Sequence, residues 1–206
     1  MLQPSLLDLS EAPAVGDVRR GRVRHPLAEG AWIDLRRGWL GGSDVLFDAL
    51  ATTVDWRAER RQMYDAVVDV PRLTRFYGGG EELPHPVLEE CRVVLNESYG
   101  GELGEDFVTV GLCLYRGGRD SVAWHGDRVG RSRTQDTMVA IVSVGEPRPL
   151  MLRPRGGGSS IAVPLGHGDL IVMGGSCQRT WDHCIPKTER PVGPRISIQF
   201  RPQGVL

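Results

Sequence analysis

The run RISIQFR, residues 195–201, alternates charged or polar side chains with apolar ones without a break. Successive side chains of a strand point to opposite faces. Ile196, Ile198 and Phe200 therefore fall on one side and Arg195, Ser197, Gln199 and Arg201 on the other. The apolar face is expected to pack outward against a layer of helices. The other face then points into a barrel and carries two arginines with it. An unpartnered guanidinium in such a place is very costly, so both need anions. Their Cα atoms stand roughly 20 Å apart at about 3.3 Å per residue. Two long side chains leaning inward leave room between them for a small dicarboxylate. A core pair with Asp127 or Asp182 is the other way to satisfy such a charge, and it serves one arginine more readily than two.

The rest of the C-terminal half has a matching texture. After Gly104, short β-branched and apolar runs recur between turn signals. They are FVTVGLCLYR (107–116), DSVAWHGD (120–127), TMVAIVSVG (137–145), PLMLRP (149–154), SSIAVPL (159–165), GDLIVMGG (168–175), RTWDHCIP (179–186) and RISIQFR itself. Eight short strands at this spacing predict a sandwich or barrel. Upstream, AWIDL (31–35) reads as a strand. GGSDVLFDALATTVDW (41–56) reads as a helix, with Ser43 as N-cap and Val45, Leu46, Leu50 and Val54 at helical spacing. A second helix is predicted from about Pro84 to Tyr99. Pro86 suits its first turn, Leu88, Cys91 and Leu95 form its stripe, and Gly100 stops it. Between the helices DVPRLTRFYGGGEE (69–82) reads as a flexible surface loop. Residues 1 to about 25 read as a loose polar arm. The expected organisation is that arm followed by one domain over 26–206, with helices and a loop in 26–104 and a β-core in 105–206.

Composition bounds the function. At 206 residues with 40% hydrophobic and 25% charged residues, the chain can bury a sizeable core and is not a low-complexity or disordered sequence. A net charge of −1 gives no overall basic field of the kind a general nucleic-acid coat would have. Lys187 is the sole lysine, and every other basic residue is an arginine. Coding bias accounts for that, and so would a need for bidentate phosphate or carboxylate contacts. The four cysteines contain no C-x-x-C spacing, which argues against a zinc ribbon or a dithiol redox site. No signal peptide and no membrane span is expected, and free thiols point to a reducing cytoplasm.

VAWHGDRVGR (122–131) places His125 and Asp127 two apart, on one face if the segment is a strand. Such a pair can be a surface accident. With His183 from the short strand at 181–185 it becomes two imidazoles and one carboxylate. That set leaves three faces of an octahedron open and suits non-haem Fe(II), while zinc also accepts it.

Taken together, PRLTRFYG (71–78), LYRGGRDSVAWHGD (114–127), GHGDLIVMGG (166–175), WDHCIP (181–186) and RISIQFR resemble the AlkB family of Fe(II)- and 2-oxoglutarate-dependent dioxygenases in order and spacing as well as residue type. The resemblance runs from about Arg72 to Pro202 and, more loosely, upstream. It implies a mostly β chain with flanking helices and a double-stranded β-helix, or jelly-roll, core. It implies that His125, Asp127 and His183 hold the iron and carry catalysis. Tyr115 falls where the family contacts 2-oxoglutarate, Arg195 where an arginine pairs with its distal carboxylate, and Arg201 where a second arginine supports the other end. Cys113 stands where the family has an asparagine, and Ser197 and Gln199 replace its inward Asn and Thr. Arg128, Val129 and Gly130 follow Asp127 where many members carry another acid.

By the same resemblance, Fe(II), 2-oxoglutarate and dioxygen would oxidise an N-methyl group that then leaves as formaldehyde. The substrate would be single-stranded DNA or RNA carrying alkylated bases such as 1-methyladenine or 3-methylcytosine. Arg72, Phe76 and Tyr77 correspond to the nucleotide-recognition segment, and Arg153 to a base-contacting arginine. A monomer is expected. Two other readings stand beside this one. The first is an oxygenase acting on a small molecule or a protein side chain. The second is a non-catalytic cupin-like binding module, for which two inward arginines have no evident use.

Overall fold

The computed structural model describes residues 11–63, 66–132 and 134–205. In chain order the first elements are β1 (Ala14–Val15), β2 (Val23–Pro26), β3 (Ala31–Arg36), β4 (Leu40–Gly41) and α1 (Ser43–Thr53). Next come β5 (Arg57–Met63), β6 (Ala66–Tyr77), α2 (Pro86–Leu103), β7 (Phe107–Tyr115) and β8 (Val122–His125). The remainder is β9 (Val139–Gly145), β10 (Arg148–Pro154), β11 (Ile161–Leu165), β12 (Asp169–Gly175), the single turn α3 (Cys177–Thr180), β13 (Trp181–Ile185) and β14 (Arg195–Pro202). The main sheet runs β2-β3-β12-β9-β14-β7-β6-β5, and a smaller one runs β11-β10-β13-β8. The pairings are antiparallel. The two sheets form a double-stranded β-helix with helices covering the outer face of the larger sheet, as expected. All eight strands predicted beyond Gly104 are present.

The central strands are buried on both faces, and their side chains are dealt alternately to two cores. On β9, Ala140, Val142 and Val144 join α1 and α2 on the helix side, while Val139 and Ile141 face the space between the sheets. On β12, Leu170 and Val172 go to the first core and Ile171 and Met173 to the second. These strands therefore read as unbroken apolar runs. β14 obeys the same rule with a polar second face. Ile196, Ile198 and Phe200 are fully buried against the helices, and Arg195, Ser197 and Gln199 are buried on the other side.

Four local expectations need correction. The N-cap of α1 is Gly42, not Ser43. Gly42 has φ 58°, and a Cβ there would meet the Glu11 carbonyl at 2.5 Å. Ser43 is the first helical residue and its hydroxyl donates to the Leu40 carbonyl at 2.7 Å. Helix α2 does not stop at Gly100. It starts on His85, whose Nδ1 accepts from the Val87 amide, and ends at Gly104, which has the φ of 77° that the left-handed cap requires. The segment 69–82 is not a loop as far as Tyr77. It is the second half of β6, paired with β7 from Leu73↔Leu114 to Tyr77↔Val110. Pro71 lies within this strand. It sits at the irregularity between Asp69 and Leu73 in the β5 pairing, where no ladder amide is needed, and its carbonyl accepts from Ser121.

The expected loose arm falls partly on residues 1–10, outside the described residues. Over 11–25 the chain is tied down. β1 pairs with β4, β2 pairs with β3, and Val18 is fully buried. The Arg24 guanidinium lies 3.6 Å from the Trp32 ring centroid and bonds both buried Asp34 and Glu102. Phe200 ties the helix layer to the strand that carries the polar face, so Phe200→Ala is expected to cost about 3–5 kcal/mol, to be read from the urea midpoint at unchanged slope.

Candidate active site

β13 and β8 set His183 and His125 directly opposite each other as Cα partners. Their ring centroids are 4.2 Å apart. β8 ends at His125, so Asp127 reaches the pair from the turn beyond the strand rather than from a shared strand face. That turn is held by the Asp127 amide, which donates to Gln178 Oε1 at 2.9 Å. Gly126 between the two residues leaves no room for a side chain, because its Cβ would lie 2.7 Å from the Gln178 carbonyl oxygen. One potential ligand atom from each of His125, Asp127 and His183 lies within 4.8 Å of the others, and this is the only such cluster of three among the described residues.

The protonation pattern suits a cation. His125 Nδ1 is 2.8 Å from the Ala123 carbonyl, which can only accept. Nδ1 therefore carries the hydrogen and Nε2 presents its lone pair. Nε2 is 3.6 Å from Asp127 Oδ1. The other carboxylate oxygen, Oδ2, accepts from Arg201 Nε at 2.7 Å. Burial opposes ionisation of Asp127, yet Arg201 and the two imidazoles outweigh it and hold the carboxyl well below its usual range. Burial, then His125, keeps the His183 imidazole neutral, pushing its pKa down to about 3.

The two inward arginines of β14 meet different fates. Arg201 is satisfied by Asp127. Arg195 is 1% exposed and has no carboxylate beside it. Its Nε donates to Ser143 Oγ at 2.8 Å, and its Nη1 is buried without a hydrogen-bond partner. Burial disfavours its charge. Tyr115 is its Cα partner on β7, with the guanidinium carbon 5.4 Å from the ring centroid. One narrow cavity includes Tyr115, His125, His183, Arg195 and Arg201 in its walls, with Cys113 and Ser197 beside them. Cys113 Sγ is 3.8 Å from Gln199 Oε1, and Ser197 Oγ accepts from Gln199 Nε2. A buried guanidinium with no carboxylate beside it, in a cavity walled by two of the three metal-type donors, fits an anion that also binds a metal. The donor set therefore suits Fe(II) with 2-oxoglutarate.

A wider cavity of about 500 Å³ opens beyond the metal-type donors, sharing His125, Asp127 and Arg201 with the site. Arg72, Thr74 and Phe76 line it from β6. Arg72 also borders the narrow cavity and donates to the Ser121 carbonyl at 3.3 Å, and Phe76 is 42% exposed. Tyr77 points the other way, into the helix-side core. Arg153 lines neither cavity. It stands across from Asp182, with its guanidinium carbon 4.2 Å from the Trp124 ring centroid. Thr74, Gly111 and Gln203 also line the wide cavity, and sequence reasoning did not find them. The period of two over Arg72, Thr74 and Phe76 would have signalled the face had the segment been read as a strand.

With this geometry in view, residues 48–201 match the family model described as the 2OG-Fe(II) oxygenase superfamily, and the chain belongs to it. Relatives that it matches include AlkB-type proteins. The alpha-ketoglutarate-dependent dioxygenase alkB homolog 3 of Bos taurus is 31% identical over 185 residues, covering 77% of this chain and 61% of that protein. The DNA oxidative demethylase ALKBH2 of Homo sapiens is 29% identical over 218 residues, covering 93% and 81%. The chain thus spans about three-fifths of the length of the first of these relatives. The solved structure of OsALKBH1 superposes with a TM-score of 0.61 at 13% identity, covering 88% of this chain and all of that one, a likeness of fold. Membership implies Fe(II), 2-oxoglutarate and dioxygen. No described helix is long and apolar enough to cross a membrane.

The buried neutral His183 gives the metal-free protein an acid sensitivity. Its folded pKa of about 3 lies below the ordinary 6.5, so as pH falls below 6.5 the unfolded chain binds a proton that the folded chain refuses. Stability should fall from about pH 6.5 downward. Asp127, held below its ordinary 3.8, adds a second loss only beneath that value. His183→Gln should flatten the first decline and keep the second, as measured by urea unfolding of metal-free protein at ~pH 7, ~pH 4.5 and ~pH 3.

Proposed function

We propose that the chain is an Fe(II)- and 2-oxoglutarate-dependent dioxygenase that removes methyl groups from N-alkylated bases, with 1-methyladenine and 3-methylcytosine in single-stranded DNA or RNA as substrates. The observation that carries this is the narrow cavity walled by His125, His183 and Arg195, with Asp127 completing the ligand-type cluster of the two histidines and Arg195 Nη1 buried without a hydrogen-bond partner. His125 Nε2, Asp127 and His183 are the metal ligands. Arg195 takes the distal carboxylate of 2-oxoglutarate, with Tyr115 beside it, and Cys113 and Ser197 complete the wall. Arg201 positions Asp127, fixing which oxygen faces His125. When bound, iron with 2-oxoglutarate and dioxygen supplies the oxidation of the N-methyl carbon, with formaldehyde, succinate and carbon dioxide as products.

The protein's own part is to bind, orient and exclude water. Arg72, Thr74 and Phe76 form one wall of the groove that takes the base, and Phe76 offers an exposed ring on which it can stack. Tyr77 supports that wall from the core side, and Arg153 acts outside the groove. A base in a duplex must first leave the stack, at a cost of a few kcal/mol. Single strands are therefore the preferred substrate. A monomer working in a reducing compartment such as the cytoplasm agrees with the four unpaired cysteines. One feature favours a second reading, an oxygenase of a small molecule or protein side chain. The one acid lining the groove, Asp127, is already paired with Arg201, so the groove offers little to a cationic methylated base.

Two outcomes test the proposal. Loss of a buried charge pair costs about 3–5 kcal/mol, so Arg195→Ala should raise the 2-oxoglutarate requirement at least about a hundredfold. Titration of the visible charge-transfer band with Fe(II) reads this, and an unchanged requirement removes Arg195 from the role. Matched methylated single and double strands should release formaldehyde and lose the mass of one methylene per event, faster from single strands, with His183→Ala inactive but folded. No release from either, alongside 2-oxoglutarate turnover on a metabolite or protein, moves the assignment to the second reading.

A further inference from the structure

A second cavity of about 500 Å³ shares Asp127 with the base groove. Four arginines, Arg128, Arg131, Arg155 and Arg179, line it together with Thr137 and Gln178. Asp127 is the only acid in its wall, and that charge is taken by Arg201. Outside the wall, Glu105 holds Arg131 and Asp136 holds Arg179, which fixes both side chains in place. Arg128 is only loosely placed against Asp182, at 3.7 Å, and Arg155 is exposed and has no ion pair. Three polar atoms of this wall, Arg128 Nη1, Arg131 Nε and Thr137 Oγ1, are buried without a hydrogen-bond partner.

Solvated surface charges do not account for this. Buried N–H donors need acceptors, and here two unsatisfied guanidinium N–H donors and a hydroxyl border one space, beside the exposed Arg155. Fork-shaped donors in such a cluster match the tetrahedral oxygens of a phosphate. The cavity meets the base groove at Asp127, so an anion held here sits next to a base held there.

We propose that this arginine pocket binds a backbone phosphate of the nucleic-acid strand, adjoining the nucleotide whose base enters the groove. The inference rests on the nucleic-acid reading given under Proposed function. It makes Arg128 and Arg155 the residues that distinguish a strand from a free base or nucleoside. It also gives Arg128, which stands directly after the Asp127 ligand, a role in holding the strand rather than in reading the base.

The test uses the full chain loaded with Fe(II) and 2-oxoglutarate. Binding of a 1-methyladenine oligonucleotide without dioxygen is followed by anisotropy across a salt series, and kcat/KM is compared for that oligonucleotide and free 1-methyladenosine. Arg128→Ala with Arg155→Ala should lower the oligonucleotide-to-nucleoside ratio at least about tenfold, and should reduce the salt slope by about 0.7 per lost phosphate contact. Arg155→Ala alone, at an exposed position, should show the same direction if the double variant fails to fold. Arg19→Ala, which removes an exposed charge elsewhere, should leave both readings unchanged. Equal losses in Arg19→Ala and the pocket variants would mean nonspecific attraction and overturn the site. Wild-type demethylation of oligonucleotides with no change in the pocket variants overturns the phosphate pocket and leaves the proposed activity standing. A wild-type chain that neither binds nor demethylates any oligonucleotide overturns both. Inhibition by inorganic phosphate that the variants escape, with an unchanged oligonucleotide ratio, would assign the pocket to a free anion and overturn the strand role.

Discussion

Everything in this molecule hangs on the placement of β14 between β9 and β7. A strand in the middle of a sheet with both faces covered has no solvent side to which a misfit residue can turn. Ile196, Ile198 and Phe200 satisfy the helix layer, and that choice forces Arg195, Ser197, Gln199 and Arg201 to the inside. A slip of one residue would exchange the two sets and put guanidinium groups against α1 and α2. Strand register and the polar face turned toward the candidate site are therefore specified by the same seven residues.

Two arginines on one strand face show how burial sorts charge. Arg201 takes one oxygen of Asp127 and so aims the other at His125. One carboxylate thus belongs to both the metal-type cluster and the ion pair. Arg195 finds a hydroxyl and an aromatic ring but no acid. A buried cation left this way is costly, and in the proposed role the distal carboxylate of 2-oxoglutarate would supply the missing charge.

Much of this was legible in the sequence. The eight C-terminal runs became strands because turn residues bracket them, and RISIQFR showed its two faces by plain alternation. The His-x-Asp pair and His183 met as expected, although through a turn held by Gln178 rather than along one strand. The failures have physical causes. Pro71 and the glycines after Tyr77 carry the marks of a loop, yet the proline occupies a bulge where its missing amide costs nothing. Gly100 looked like a helix stop, but the φ that ends a helix belongs to Gly104. The arginines at 22 and 24 looked like a solvated arm, and their partner Asp34 lies ten residues away from Arg24 on a strand whose charge gave no hint of burial. Arg131, Arg155 and Arg179 come together from three separate segments, and no local pattern could have assembled them.

That β6 is a strand and not a loop has a consequence for how such a chain can diversify. Arg72, Thr74 and Phe76 stand on its groove face at intervals of about 6.6 Å, Thr74 and Phe76 pinned by the ladder to β7 and Arg72 just before its start. In the proposed function they act as marks on a rigid ruler laid along the substrate. Exchanging one mark alters what the groove accepts without disturbing the backbone, because ladder hydrogen bonds do not depend on side-chain identity. Tyr77, on the opposite face, is committed to the core and lacks that freedom. New substrate preferences are thus open to single substitutions at a few alternating positions, while the rest of the strand is held constant by the fold it supports.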